Sequence, residues 1–247
     1  RAFPRGRDRP RDVNLVSCLI PGLNSFDYAA LHPQARVTTF LFPPALRASF
    51  EAGRVRVLPL QYSNIAAYLA PLSPDVAILH LTPPVDGKCS FGVCADFGPI
   101  VAPGAKRRIG VLNPDLPRPA NGPTIAFDDL DAVIEIAAPP PFQSEAEPSA
   151  ELSQLAAKVA GLIPDGAVVQ SGIGAAPTAL WRALEAHKGL RVHSGMITEG
   201  VPRAYDAGAP ADVGHVAGFA SGGADFLARF DGSDLVRFAD VRTTHGA

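Results

Sequence analysis

A glycine-rich segment, QSGIGAAP over residues 170–177, has residue types suited to binding an anion or a developing oxyanion. Gly172 and Gly174 would let backbone N–H groups approach a ligand closely, and the start of a helix near Pro177 adds favourable partial charge. A tight strand-to-helix turn also needs glycine without any ligand, so the segment alone does not decide between binding and structure. The missing third glycine argues against a dinucleotide-binding fingerprint.

A second candidate segment, LTPPVDGKCSFG over residues 81–92, follows an apolar run. Asp86 and Gly87 indicate a turn. Ser90 and Gly92 could present a hydroxyl group and an open backbone to a ligand. An ordinary surface loop is the alternative interpretation of this segment.

A third segment, VHSGMITEG over residues 192–200, contains a carboxylate close to the end of another apolar run. Thr198 could cap the next helix. Glu199 could then either stabilise the first turn of that helix through its charge or extend into a cleft as a reactive group.

The elements that must position these segments alternate between strands and helices along the whole chain. Such alternation predicts an α/β fold with two similar open, mainly parallel sheets flanked by helices. In parallel sheets, ligands bind beyond the carboxyl ends of the strands, where all three segments are expected. The predicted strands are 13–20, 37–42, 55–58, 76–81, 108–112, 132–136, 167–170, 190–193, 215–220 and 235–239. The predicted helices are 45–52, 64–70, 96–102, 177–186, 201–207 and 224–230. A further predicted helix is capped by Ser149 and carries apolar residues through 152–163.

A proline-rich stretch at 137–149 divides the chain and has no periodicity, which is typical of a linker. We therefore predict an N-terminal α/β domain over 1–142 that lacks its start, and a C-terminal α/β domain over 149–247 that lacks its end. The apolar helix face 152–162 could pack on its own sheet or meet a second copy in a homodimer.

Composition excludes several classes of function. The formal net charge is −2, which argues against a nucleic-acid-binding protein, and no apolar run approaches the roughly 20 residues that span a membrane. Cys18, Cys89 and Cys94 have no metal-like spacing, so we expect free thiols in a cytoplasmic protein. The six histidines show no ligand spacing with a carboxylate, so no metal is expected.

Three segments in order resemble the acetyl-CoA hydrolase/4-hydroxybutyrate CoA-transferase family. Residues 76–92 are similar to its strand and "SPP-D-G-x-x-S-x-G" loop, residues 111–118 (VLNPDLPR) to its "V-N-P-x-M-P-R" segment, and residues 163–177 to its "I-x-D-G-A-x-x-Q-x-G-I-G-x-x-P" segment. Several matches in the right order are far more specific than any one of them.

The resemblance implies an enzyme that moves coenzyme A between an acyl-CoA thioester and a small carboxylate, or releases it to water. In the transferases a glutamate attacks the thioester carbonyl and forms a glutamyl-CoA thioester. Coenzyme A is then a substrate, and Gln170 lies beside the reacting centre. The residues that the resemblance assigns to substrate and coenzyme A binding are Gly172, Ile173, Gly174, Ala175, Ser90, Gly92, Asn113, Gly195 and Met196.

The chain departs from the family at the nucleophile. The family pattern "H-x-E-M-x-x-D-G" corresponds here to residues 193–200, HSGMITEG, and its glutamate position is Gly195. Three hypotheses follow. Glu199 replaces the missing carboxylate, so that Glu199 and Gln170 are the catalytic residues; or the site activates water with some other base; or the protein binds acyl-CoA without catalysis. A sugar-phosphate isomerase on a similar scaffold is a further alternative.

Overall fold

The computed structural model describes residues 12–20, 22–24, 26–142, 147–201 and 214–246. Contacts divide the chain into two compact units, one within 1–65 and 141–143 and the other within 66–140 and 144–247. The predicted domain limits at 142 and 149 remain a prediction. No helix of the described residues is long and apolar enough to cross a membrane.

The first unit contains a three-stranded parallel sheet. Its strands are β1 (Asn14–Ser17), β2 (Arg36–Thr39) and β3 (Val55–Val57), in the order β1-β2-β3. Helix α1 (Arg47–Glu51) lies between β2 and β3, and a small core forms around Leu19, Val37 and Leu46. Helix α2 (Tyr62–Leu69) crosses the boundary between the units.

The second unit begins with a parallel sheet in the order β4-β6-β8. These strands are β4 (Ala77–Leu81), β6 (Arg108–Leu112) and β8 (Ala132–Glu135), and the short helix α3 (Gly98–Val101) precedes β6. An antiparallel pair, β5 (Lys88–Ser90) with β7 (Thr124–Ala126), accompanies the sheet. The sequence did not predict this pair, because each strand has only three residues and the partners lie far apart in the chain.

The second parallel sheet of this unit carries the other candidate segments. Its strands are β9 (Val168–Val169), β10 (Arg191–Ile197), β11 (His215–Ala220) and β12 (Val236–Phe238), in the order β12-β11-β10-β9. The helices are α4 (Ala150–Ala160), α5 (Ala175–Ala183), α6 (Ala224–Ala228) and α7 (Val241–Thr244). Buried Trp181, Phe230 and Phe238 form the centre of its core.

Local sequence explains where these helices start. The Ser149 side chain accepts a hydrogen bond from Leu152 N at 3.3 Å, as predicted for the α4 cap. Asp240 caps α7 by accepting from Arg242 N at 2.9 Å. Helix α5 begins at Ala175, two residues before the predicted start, directly after Gly174 with its positive φ of 106°. The predicted helix 201–207 lies outside the described residues except for Val201.

The segment that follows β5 runs beside the second parallel sheet of the unit. Ala95 N donates to Gly218 O at 2.8 Å, and Ala220 N donates to Val93 O at 2.9 Å, so residues 93–95 run antiparallel beside β11. The predicted α/β class with mainly parallel sheets is confirmed. The described residues form three such sheets and one antiparallel pair instead of the two sheets expected.

Candidate active site

The second sheet brings two of the candidate segments to one edge. Strands β9 to β12 are all parallel, so their carboxyl ends lie together. Gln170 follows β9, Glu199 follows β10, and the pair Gly222 and Gly223 follows β11. This edge therefore gathers a glycine turn, a carboxylate and a second glycine turn from three neighbouring strands.

The glycine turn after β9 is fixed beside β10. Val169 pairs with Val192, and the Ser194 hydroxyl donates to the Ser171 carbonyl at 2.9 Å. The turn therefore lies level with the next residues of β10, Gly195 and Met196. Trp181 Nε1 also donates to the Ser171 hydroxyl, at 2.9 Å. The predicted site residues of the glycine turn are Gln170, Gly172, Ile173 and Gly174, which are exposed, and Ala175, which is half-buried.

An apolar cavity of about 260 Å³ opens next to this turn. Helices α4 and α5 form its walls, and the turn forms one end. The lining residues are Leu152, Leu155, Ala156, Val159, Gln170, Ser171, Gly172, Ala176, Pro177 and Leu180. A cavity below the roughly 300–1,000 Å³ typical of drug-sized ligands suits a short aliphatic group.

The imidazole of His245 covers Gly195. A Cβ atom at position 195 would lie 2.8 Å from His245 Nε2 and closer still to its Cε1, so the ring occupies the space where a larger side chain would begin. His245 Nδ1 lies 2.9 Å from the Thr244 hydroxyl. Burial, followed by the nearby charge of His193, lowers the pKa of His245 below its usual value of 6.5.

Gly218 on β11 is covered in a similar way by Asp96. Ser194 pairs with Ala217 and Met196 pairs with Phe219, so Gly195 and Gly218 lie side by side. A Cβ atom at 218 would lie 3.2 Å from Asp96 Cγ and 2.9 Å from Gly195 O. Asp96 is 5% exposed. Two neighbouring glycines of the sheet thus make room for functional groups from other segments.

Glu199 is held at the end of β10 by the neighbouring glycine turn. Its Oε1 accepts a hydrogen bond from Gly223 N at 2.6 Å, and a Cβ atom at Gly222 would lie 2.8 Å from Glu199 Cγ. The half-buried side chain therefore contacts the start of α6. Its two expected roles, stabilising the helix that follows β10 and acting as a reactive group in a cleft, stay predictions.

Ser90 ends β5, Gly92 lies just after it, and Asn113 follows β6. The buried Ser90 hydroxyl accepts from Gly92 N at 3.0 Å, and Gly92 has a positive φ of 60°. Asn113 Nδ2 donates to Ala138 O at 2.8 Å and also lies 3.0 Å from His80 Nε2. These contacts stabilise the segments after β5 and β6, and the binding roles of the three residues remain predictions.

Sequence reasoning did not single out His245, Asp96 or Gly218. Asp96 and Gly218 lie in a predicted helix and a predicted strand, and neither shows a chemical pattern of its own. The only signal for His245 was its place shortly after a predicted strand of the same sheet. The described residues contain no group of three histidine, cysteine, aspartate or glutamate side chains that could hold a metal ion.

Comparisons with known proteins match this chain to CoA-transferases. No family model matches. The chain is 28% identical over 215 residues to 4-hydroxybutyrate coenzyme A transferase of Clostridium kluyveri, covering 84% of the chain and 49% of that protein. It is 28% identical over 204 residues to succinyl-CoA:acetate/propanoyl-CoA:succinate CoA transferase of Fasciola hepatica, covering 81% of the chain and 42% of that protein. The chain therefore spans about half the length of these curated relatives.

Solved structures share the fold. RipA from Yersinia pestis superposes with a TM-score of 0.81 at 19% identity, over 94% of this chain and 65% of that one. The 4-hydroxybutyrate CoA-transferase from Porphyromonas gingivalis superposes with a TM-score of 0.76 at 22% identity, over 95% of this chain and 65% of that one. The resemblance predicted from the three sequence segments is confirmed by the similarity to proteins named as 4-hydroxybutyrate and succinyl-CoA:acetate CoA-transferases.

Proposed function

We propose that the protein acts on short-chain acyl-CoA thioesters, breaking the bond between the acyl carbonyl carbon and the sulfur of coenzyme A. The observation that carries this proposal is the glycine turn after β9, which the bond from the Ser194 hydroxyl to Ser171 O holds level with Gly195. The similarity to named CoA-transferases supports the substrate class.

The glycine turn supplies what the thioester carbonyl needs. Attack on this carbonyl creates an oxyanion, which backbone N–H groups stabilise when they are fixed in advance. Gly172 and Gly174 leave the backbone of the turn open, and the neighbouring Gln170 amide is a further donor. We assign these residues to the acyl carbonyl, and we assign the cavity between α4 and α5 to the hydrocarbon part of the acyl group.

Either a second carboxylate accepts coenzyme A, or water accepts the acyl group. For transfer, the Glu199 carboxylate attacks the carbonyl carbon and the thiolate leaves. The thiolate then attacks the glutamyl carbonyl of the resulting anhydride, which gives a glutamyl-CoA thioester and releases the acyl group as its carboxylate. A second carboxylate completes the exchange by the reverse steps. Hydrolysis is the second candidate, because Gly195 stands at the family's glutamate position and offers no nucleophile.

We further propose a cytoplasmic protein whose partners are an acyl-CoA and a small carboxylate. The chain has three cysteines, an odd number at no metal-like spacing, which supports a reducing compartment. We also propose a homodimer. Its contact surface includes Leu155 on α4 and Leu162 just after α4, which are both exposed. Light scattering of the purified protein tests it.

The test is thioester consumption by the wild-type protein. Acetyl-, propionyl- and butyryl-CoA are each supplied with and without acetate or succinate, and both free coenzyme A and the exchanged acyl-CoA are measured. Turnover of any of these thioesters supports the proposal. Binding of acyl-CoA without turnover under all conditions contradicts it and favours a non-catalytic acyl-CoA-binding protein.

A further inference from the structure

We propose that His245 is the general base of this site and that it activates water, which makes the protein an acyl-CoA hydrolase. The inference rests on the proposed function and names its acceptor. The imidazole of His245 has its Nε2 atom 2.8 Å from the point where a Cβ atom of residue 195 would be. A nitrogen base therefore occupies the place in the strand where this chain has no side chain.

The ring is held in this position by the structure around it. Helix α7 is capped by Asp240, and Val241 N donates to Asp96 O at 3.1 Å. The Thr243 carbonyl accepts from His193 Nε2 at 3.1 Å, because a carbonyl can only accept. These bonds tie α7, which ends just before His245, to β10 and to the segment 93–96. They therefore hold the ring over Gly195.

The proposal places the hydrogen of the neutral imidazole on Nδ1, where the Thr244 hydroxyl can accept it. The buried Thr244 hydroxyl lies 2.9 Å from His245 Nδ1. With the hydrogen on Nδ1 donated to this hydroxyl, the lone pair is on Nε2, the nitrogen nearer to Gly195. Burial lowers the pKa of His245, so the neutral base is the main form at neutral pH.

The reaction balances with water as the only co-reactant. Nε2 takes a proton from water while the water oxygen bonds to the thioester carbonyl carbon. The tetrahedral oxyanion lies next to the glycine turn at 172–174. It then collapses, the bond from carbon to sulfur breaks, and the departing thiolate takes the proton from the imidazolium. The products are a carboxylic acid and free coenzyme A, and the enzyme returns to its starting form.

The experiment measures acceptor-independent release of coenzyme A by wild type and by His245→Asn. We expect kcat to fall by about 10²-fold or more, the usual contribution of a general base. His187→Gln is the matched control, since His187 bonds to Ala160 O and Ile163 O at the opposite edge of the sheet and its replacement keeps an N–H donor. Added imidazole should restore part of the activity of His245→Ala, which a purely structural role would not allow.

A second variant decides the question if His245→Asn does not fold. Gly195→Ala keeps the histidine but forces its ring to move, and we expect a loss on the order of 10²-fold in kcat, as displacement of a reacting group by about 1 Å can cause. Unchanged hydrolysis in a folded His245→Asn or Gly195→Ala overturns the inference.

The remaining outcomes separate this inference from the proposed function. Turnover by the wild type only in the presence of acetate or succinate would overturn the role of His245 in hydrolysis and leave action on acyl-CoA thioesters intact. No turnover of any thioester would remove both.

Discussion

The Glu199 carboxylate accepts a hydrogen bond from the backbone N–H of Gly223 at 2.6 Å, which links the end of β10 to the turn that starts α6. The contact gives Glu199 a role that can be measured apart from catalysis. A charged acceptor on a backbone donor at a helix start stabilises both the turn and the helix.

Replacement of Glu199 by glutamine tests whether this residue is a nucleophile. Glutamine keeps an acceptor for Gly223 N and removes the charge, so we expect a loss of only about 1 kcal/mol in the free energy of unfolding. If hydrolysis through His245 is the reaction, coenzyme A release should stay within about threefold of wild type. A covalent coenzyme A adduct on wild type that mass spectrometry no longer detects in Glu199→Gln would instead identify Glu199 as the nucleophile.

Crowding above Gly218 predicts a strong effect of a single methyl group. In Gly218→Ala the new Cβ would meet the buried Asp96 carboxylate and the Gly195 carbonyl. We expect a loss of about 1–3 kcal/mol in the free energy of unfolding, measured by urea denaturation. Gly161→Ala is the control, because its nearest neighbour, Lys158 O, would lie at an ordinary 3.5 Å. Equal stability of the two variants would contradict the prediction.

The pH dependence of hydrolysis follows from the lowered pKa of His245. The base form is present above that pKa, so kcat should rise with pH in the acid range, with its midpoint below the usual imidazole value of 6.5. His193 on β10 acts on the ring through its charge, and the other charged groups on or bonded to α7 are the Asp240–Arg242 pair and Asp96. The charge of His193 is one cause of the lowered pKa of His245, so His193→Gln should move the rise of kcat with pH (the acid limb) to higher pH. Stopped assays across pH 4.5–8 at constant ionic strength would show this. A limb that moves to lower pH would be inconsistent with the sign of the His193 effect.

Sequence reasoning went furthest where local pattern and structure coincide. The parallel strands were predicted because their residues are apolar and bounded by turns, and Ser149 was predicted as a cap because its hydroxyl suits the start of α4. The pair β5 and β7 could not be predicted, since its stability comes from pairing between distant three-residue segments. His245 was missed for the same reason: only folding brings it over Gly195, and neither residue has a local pattern that refers to the other.

The Arg118 side chain is expected to stabilise the loop 81–92. Its Nη1 donates to the Thr82 hydroxyl at 3.0 Å and to Lys88 O at 3.2 Å, so one side chain satisfies two groups of the loop. Arg118→Ala should lower the free energy of unfolding by about 1–3 kcal/mol, measured by thermal or urea denaturation. Arg107→Ala is the matched control, because the Arg107 side chain is exposed and its bond to Asp75 O uses the backbone N–H. A loss of stability in Arg107→Ala as large as in Arg118→Ala would show that the loop contacts contribute nothing specific.

Replacement of Ala176 tests whether the cavity binds the acyl group, without a change in the hydrophobic core. It is exposed, lies in the first turn of α5 and lines the cavity of about 260 Å³ beside the glycine turn. In Ala176→Leu the added hydrocarbon would occupy part of this space, so longer acyl groups should be excluded before acetyl. One methylene group in an apolar pocket is worth about 1–3 kcal/mol of discrimination. We therefore expect the ratio of kcat/KM for butyryl-CoA over acetyl-CoA to fall about tenfold or more. Ala157→Leu, at an exposed position of α4 outside the lining, is the control; an unchanged ratio in Ala176→Leu would place the acyl group elsewhere.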